Sequence, residues 1–495
     1  MYSGLTRHQL LARVFSHTWI YGVGIVVARA GGILLLPLYW LKLSPADFGI
    51  IGLSQALIMF LSPVLALGLH DAVQRLFHEW NVSERPERLG SIWLASNAVG
   101  LTICGLLTFA GPRLFGTVLT QVPFSPYLLI VLWTAFATNL SLIPLAVMRS
   151  QEESRRYAVI TILVFVSQAA VTIYLVLVAG LGPAGYLAGT LINAAGWGLY
   201  FISYMAKRIR WSVQPAFLKE ALRYSLPIVP ASLLEGVSQL LDRYFLDKFV
   251  GLRQIGLYSL ASQVGGGLNV FNQTIKNSWY PFIYRVATER KDAPAVVARF
   301  SLYLLAVLVP IAVAIALLSK ELIIWIGDER YHGVYELVPM FVLVYFMHAS
   351  WIVLGRGMDL AKRMHYTPLV QVVGLVSGVA ALWWLVPRYG MWGAIWALVI
   401  ANATKTVVLL SLSYYFYPRP ALLGKFSKLF AIAAFMYWLG ASVSMDSIIE
   451  SALAKSGIIL SGSAAILWFV LDGRRALDVY REWRRARRNA TDIVE

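Results

Sequence analysis

Residues 19–40 read WIYGVGIVVARAGGILLLPLYW, and residues 41–57 continue as LKLSPADFGIIGLSQAL. The first stretch is long and apolar enough to cross a bilayer, yet Arg29 stands ten residues past Trp19. At about 1.5 Å per helical residue the guanidinium lies about 15 Å deep, near the middle of a hydrocarbon core about 30 Å thick. A charge at that depth costs roughly 2.5 kcal/mol or more, so it faces a protein interior or a wet cavity and marks a functional or pairing position.

The rest of the chain repeats this apolar pattern. Hydrophobic residues make up 59% of the 495, and charged residues only 14%, where a soluble domain carries about 25%. Apolar spans fall at 17–40, 48–69, 90–110, 127–147, 158–178, 184–204, 224–244, 256–279, 300–319, 335–355, 366–386, 391–413, 426–443 and 454–471. Lipid cannot satisfy free backbone groups, so each must be helical. The sequence therefore predicts an all-α polytopic membrane protein of about 14 transmembrane helices. The opening MYSGLTRHQLLARVFSH lacks the pattern of a cleavable signal peptide, so span 1 is expected to act as the insertion signal. Cys104 is the single cysteine and sits in an apolar run, which predicts neither a disulfide framework nor a thiol metal site. The seven histidines show no metal-ligand spacing. Gly265-Gly266-Gly267 lacks the Lys-Ser/Thr of a phosphate loop and reads as close packing or a bend.

Charge placement orients the spans. With the N-terminus in the cytoplasm, thirty of the 42 Lys and Arg fall in cytoplasmic segments, nine in external segments and three within spans or at their ends. Basic residues concentrate on the cytoplasmic side of membrane proteins, and a missed span would scramble the alternation. Both termini are therefore expected inside. The net charge of +17 then marks a membrane face drawn to anionic lipids, not a nucleic-acid groove. The tail DGRRALDVYREWRRARR reads as a surface-lying helix or as a solvated basic tail. Asn81-Val82-Ser83 matches a glycosylation sequon but falls in a cytoplasmic loop.

A shift of 207 residues lays Phe48–Ser54 (FGIIGLS) on Ile255–Ala261 (IGLYSLA), and a nearby shift lays Leu181–Gly185 on Tyr389–Gly393. Both matches open a span after a short external loop. Spans 1–6 and 7–12 thus read as two lobes of a parallel repeat around a central cavity, with two helices added at the C-terminus. Such repeats place a substrate site between the lobes and suit alternating access. The expected organisation is a cytoplasmic N-terminus (1–16), a first six-helix lobe (17–204), a cytoplasmic linker (205–223), a second lobe (224–413), helices 13 and 14 (414–471) and a basic cytoplasmic tail (472–495).

LLLPLYWLKLSPADFGIIGLSQAL, followed by LALGLHDAVQRLF, resembles the opening of bacterial polysaccharide-transport flippases. These form the Wzx-like branch of the multidrug/oligosaccharidyl-lipid/polysaccharide exporter superfamily. The stretch SLPIVPASLLEGVSQLLDRYFLDKFVGLRQIGLYSLA and the loop MRSQEESRRYAV resemble the matching family regions. The resemblance implies two six-helix lobes around a cationic cavity. It also implies a polyprenyl-pyrophosphate-linked oligosaccharide as substrate, moved from the cytoplasmic to the outer leaflet of the bacterial inner membrane. A polysaccharide polymerase and chain-length machinery are the partners it implies, and a monomer is expected.

Arg29, Asp71, Arg75, Glu235, Lys276 and Lys405 are the site candidates, with Arg285 beside Lys276. Arg29 offers forked donors that suit phosphate oxygens; the alternative is a structural ion pair. Under the 207-residue shift Arg29 falls on Gly236, which puts Glu235 at nearly the same depth in the other lobe. Glu235 would pair with Arg29 in one state. In the other it would take a proton or sodium ion, the only coupling species expected in place of a cofactor; a static pair is the alternative. Lys276 falls on Leu69, beside His70 and Asp71, so Asp71, Arg75, Lys276 and Arg285 would collect the pyrophosphate at the cytoplasmic entrance. Ordinary snorkelling competes with that reading for Lys276, and also for Lys405. Asp242, Arg243 and Asp247 read as a solvated or gate-stabilising group, and His348 as a hydrogen-bonded core histidine.

Other classes fit less well. A drug or cation antiporter of the same superfamily would show an acidic cavity, whereas the buried charges here are mostly basic. A membrane polymerase or glycosyltransferase needs a sizeable external loop with acidic catalytic residues, and no external loop exceeds about twenty residues, so no enzyme is expected. A peptidoglycan-precursor flippase is the nearer alternative.

Overall fold

The computed structural model describes residues 31–289, 291–326, 328–420 and 422–471. Helices joined by turns account for its secondary structure, with no strand among the described residues, so the chain is all-α. Arg29, the segment 1–16 and the tail 472–495 lie outside the described residues. Eight helical segments among the described residues are long and apolar enough to cross a membrane. The shorter apolar helix Gly31–Trp40 ends the stretch that contains Arg29. Exposed Phe109, Val166, Trp383 and Leu460 give these helices the apolar outer faces that lipid covers. The chain is a multi-pass membrane protein; the total of fourteen spans is carried forward as part of the proposal.

The first described helices are α1 (Leu36–Trp40) and α2 (Pro45–Ala66). The start of α2 is written in Ser44-Pro45-Ala46-Asp47. The Asp47 N–H donates to Ser44 Oγ at 3.3 Å, and the Ser44 N–H donates to Asp47 Oδ2 at 2.7 Å, a reciprocal cap that satisfies helix-end donors. Pro45 at the first turn has no N–H to leave unpaired. Leu67 (φ 48°) and Gly68 (φ 64°) then end α2 and turn the chain into the amphipathic α3 (Leu69–Leu76).

The following helices are α4 (Arg85–Val118), α5 (Leu129–Ser150), α6 (Ser154–Ile173), α7 (Gly182–Ala206), α8 (Pro215–Ser225), α9 (Val229–Phe249) and α10 (Leu252–Gly265). Helix α4 outruns the expected 90–110 because its first turns form a polar collar. Arg88 Nη2 lies 2.9 Å from Glu84, and Arg88 also pairs with Glu220 of α8.

The remaining helices are α11 (Leu268–Glu289), α12 (Ala293–Ile326), α13 (Gly333–Leu354), α14 (Thr367–Phe416), α15 (Leu423–Ala441) and α16 (Ile448–Phe469). The triglycine run breaks the expected span 256–279 into α10 and α11, as a bend there requires. Helix α14 holds two expected spans, 366–386 and 391–413. Gly390 divides it with φ 54° and ψ −128°, a region an L side chain avoids. A Cβ on Gly378 would meet the Ala401 Cβ at 3.0 Å, so the two arms run back along each other.

The described residues fall into two compact units. The first comprises 31–263 with 371–401, and the second 264–370 with 402–471. This partition follows compactness and is separate from the two-lobe partition by repeat. In the first unit α5 packs on α7, α9 on α2, and α3 and α8 on each other. Its core gathers Leu69, Val73, Ile92, Val147, Phe201 and Met205. In the second unit α12 is the hub, packed on α13, α16, α15 and α11. There Arg419, 7% exposed, donates to Leu354 O and to Ser413 Oγ (3.0 Å). Its charge sits at the negative end of α13, where a cation is favoured.

Candidate functional site

Within the first unit, α1, α2, α6, α7 and α10 surround a cavity of about 200 Å³. Its polar lining is Tyr39, Gln55, Gln168, Thr172, Tyr186 and Gln263; Phe48 and Phe165 belong to its apolar wall. Among the described residues that line it there is no Asp, Glu, Lys or Arg. Thr172 Oγ1 donates to the Gln168 carbonyl at 2.7 Å, which leaves the Tyr39 hydroxyl, 2.6 Å away, to donate to Thr172. The Tyr186 ring stands edge-on to Tyr39 at 5.4 Å and its hydroxyl hydrogen-bonds Gln55. The side-chain amides of Gln168 and Gln263 reach the cavity with no side-chain hydrogen bond among the described residues.

Two glycines hold the walls together. Gly49 of α2 lies against the Leu252 carbonyl, and Gly256 of α10 lies against the Pro45 carbonyl. Close backbone approach of this kind leaves no room for a side chain. About two turns along, Gln55 of α2 and Gln263 of α10 enter the cavity.

The sequence candidates are distributed as follows. Asp71 and Arg75 share α3. His70 Nε2 lies 3.6 Å from Asp71 Oδ1, and Arg75 pairs with Glu79 in the next turn. Burial pulls the His70 imidazole below its ordinary pKa, against the opposing influence of Asp71. Glu235 is exposed on α9, next to Gly236, where a Cβ would lie 3.0 Å from the Phe60 Cα of α2. Its expected partner Arg29 lies outside the described residues. Lys276 is exposed on α11, its ammonium 6.0 Å from the Tyr280 ring. Lys405 is half-buried, its ammonium 5.6 Å from the Trp351 ring, in the same unit as His348, which hydrogen-bonds Asn402.

Asp242 and Asp247 correct the sequence reading of a solvated group, since both are buried. Asp247 accepts from the Thr120 N–H at 2.7 Å and the Gln121 N–H at 3.3 Å, so it pins the turn after α4. Asp242 accepts from Tyr258 Oη at 2.7 Å and from Arg243 Nη1 at 3.1 Å. Lys455 is 3% exposed and is ion-paired with Glu321, which also accepts from Ser451 Oγ at 2.8 Å. Sequence reasoning passed over the cavity glutamines because an isolated amide in an apolar run carries no charge signal. Under the 207-residue shift Gln55 falls on Ser262, one position short of Gln263.

Residues 42–336 match the family model described as polysaccharide biosynthesis protein. The chain belongs to the polysaccharide biosynthesis protein family. A relative, an Lsg locus protein of Haemophilus influenzae, is 20% identical over 379 residues, covering 74% of this chain and 91% of the relative. Among solved structures, the lipid II flippase MurJ in an inward closed conformation superposes with a TM-score of 0.71 at 14% identity, covering 91% of this chain and 99% of that one. An inward-facing multidrug resistance MATE transporter of the MOP superfamily superposes with a TM-score of 0.56 at 14% identity, covering 79% and 97%. At such identity these likenesses establish the fold. This member of the polysaccharide biosynthesis protein family thus combines a MurJ- and MATE-like membrane fold with a cavity lined by amides, phenols and an alcohol among the described residues.

Proposed function

We propose that the chain flips polyprenyl-pyrophosphate-linked oligosaccharide units from the cytoplasmic to the outer leaflet, for extracellular polysaccharide, O-antigen or capsule synthesis. The observation that carries this reading is the family match over residues 42–336 on a fold shared with a lipid II flippase. A drug or cation antiporter shares the fold, but its cationic substrates call for a carboxylate, and the described residues lining the cavity include none. Flipping makes and breaks no covalent bond, so no catalytic residue is required.

In this proposal fourteen spans place both termini in the cytoplasm of a bacterial inner membrane. The lobes 17–204 and 224–413 rock about a central site. Asp71, Arg75 and Lys276 gather the pyrophosphate at the entrance, with Lys405 deeper in the second lobe. Arg29 holds the phosphate oxygens bidentately, and Glu235 takes a proton or sodium ion as Arg29 changes partner. Anionic lipids surround the basic inner face, and a polymerase receives the product.

The test is deletion of the gene followed by extraction of lipid-linked intermediates. Accumulation of a complete oligosaccharide lipid in the cytoplasmic leaflet is expected, relieved by the cloned gene. Unchanged glycolipids together with altered drug tolerance would replace this proposal with the antiporter reading.

A further inference from the structure

We infer that the amide-lined cavity of the first unit is a monosaccharide-recognition subsite, which reads one sugar ring of the transported head group rather than its pyrophosphate. This rests on the flippase proposal and adds to it a source of substrate specificity.

Charge is the first reason. A pyrophosphate calls for cationic donors, and a coupling cation for a carboxylate. Neither is found among the described residues that line this space. What lines it is three primary amides, two phenols and one alcohol. Each sugar hydroxyl both donates and accepts, and a primary amide offers both functions from one end. The rings of Phe48, Phe165 and Tyr186 supply the apolar surface that packs on the C–H face of a pyranose.

The second reason is unsatisfied polarity. Gln168 lies ten residues into its expected span and Gln263 seven residues into its own, about 10–15 Å from the nearer end of each span. Gln168 is half-buried and Gln263 exposed towards the cavity, and lipid offers neither amide a hydrogen bond. Their side chains have no hydrogen-bond partner among the described residues, so they require water or a hydroxylated ligand.

Size and rigidity complete the case. A volume of about 200 Å³ is below the roughly 300–1,000 Å³ typical of drug-sized ligands, which suits a single ring rather than a whole repeat unit. The reciprocal glycine contacts between α2 and α10 fix Gln55 and Gln263 on rigid elements, as a recognition site needs. In the expected topology the cavity lies in the outer half of the membrane, where the sugars arrive ahead of the lipid.

The test uses full-length protein in nanodiscs and two probes. One is the sugar-bearing lipid that accumulates in cells lacking the gene, and the other is bare polyprenyl pyrophosphate. Wild-type protein should bind the first more tightly. Gln168→Leu combined with Gln263→Leu should weaken it by about tenfold, two neutral hydrogen bonds, and leave the bare lipid unchanged. Thermal melting of the same samples checks folding, with Gln168→Ala as the milder variant. Equal weakening of both lipids, no weakening, or a sodium-dependent loss shared by both would overturn the subsite. Wild-type protein that binds neither lipid would instead overturn the flippase proposal.

Discussion

Gly49 and Gly256, 207 positions apart, pack reciprocally: Gly49 meets the Leu252 carbonyl, and Gly256 meets the Pro45 carbonyl. Pro45 and Leu252 are themselves 207 apart, so a short repeat legible in sequence is realised as a near-symmetric helix crossing. A Cβ on Gly256 would lie 2.9 Å from the Gly49 nitrogen, and backbone cannot swing aside as a side chain can. Gly49→Ala or Gly256→Ala is therefore expected to destabilise by about 1–3 kcal/mol, the usual cost of overpacking. Gly105→Ala, which meets nothing within 4 Å, should be neutral or stabilising. Melting curves of the three purified variants decide the matter; equal melting temperatures would refute the crossing.

The buried pair Glu321–Lys455 ties α12 to α16. Removing one partner strands the other charge, so Lys455→Met should cost about 3–5 kcal/mol. Replacing both, as Lys455→Met with Glu321→Leu, should recover most of that loss, because an apolar pair of similar size is tolerated. A double-mutant cycle on detergent-solubilised protein measures the coupling. Additive losses would show that the two charges act independently.

His70 gives a signed pH dependence. Its folded pKa is depressed by burial, so the neutral form is the one the fold favours. Above the unfolded value of about 6.5 both states are neutral and the full stability is present. As pH falls below about 6.5 the unfolded state binds the proton first, and stability drops until the folded imidazole also titrates. His70→Gln should flatten the melting profile over that window. A profile unchanged by the substitution would assign the acid sensitivity elsewhere.

Glu235 and Arg29 can be separated in a reconstituted flipping assay. Glu235→Gln should abolish ion dependence while substrate binding persists. Arg29→Lys keeps the charge and loses the fork, so it should bind substrate more weakly, by about tenfold for one charge-assisted hydrogen bond. Wild-type ion dependence in Glu235→Gln would remove that carboxylate from coupling. Full activity in Arg29→Lys would reduce Arg29 to a simple positive charge.

The sequence was most legible where the physics is local. Ser44 and Asp47 announce the cap of α2 three residues apart, and the triglycine run announces a break. The burial of Asp242 and Asp247 was not legible because their partners, Tyr258 and Thr120 among them, lie 16 and 127 residues away. The pairing of Lys455 was hidden for the same reason, its partner Glu321 being 134 residues distant.

From the sequence alone came the membrane-spanning helices, their expected orientation and the family resemblance. Transfer of a helix into lipid is a sum over some twenty consecutive residues, and orientation follows from loop charges close to the span ends. Only the tertiary structure decided which polar groups meet: Tyr39 with Thr172, Tyr186 with Gln55, and Gln168 and Gln263 facing one small cavity. Those meetings depend on how close two helix backbones can come. That distance is set at Gly49 and Gly256 by the absence of a side chain, across an interval of sequence that no local pattern spans.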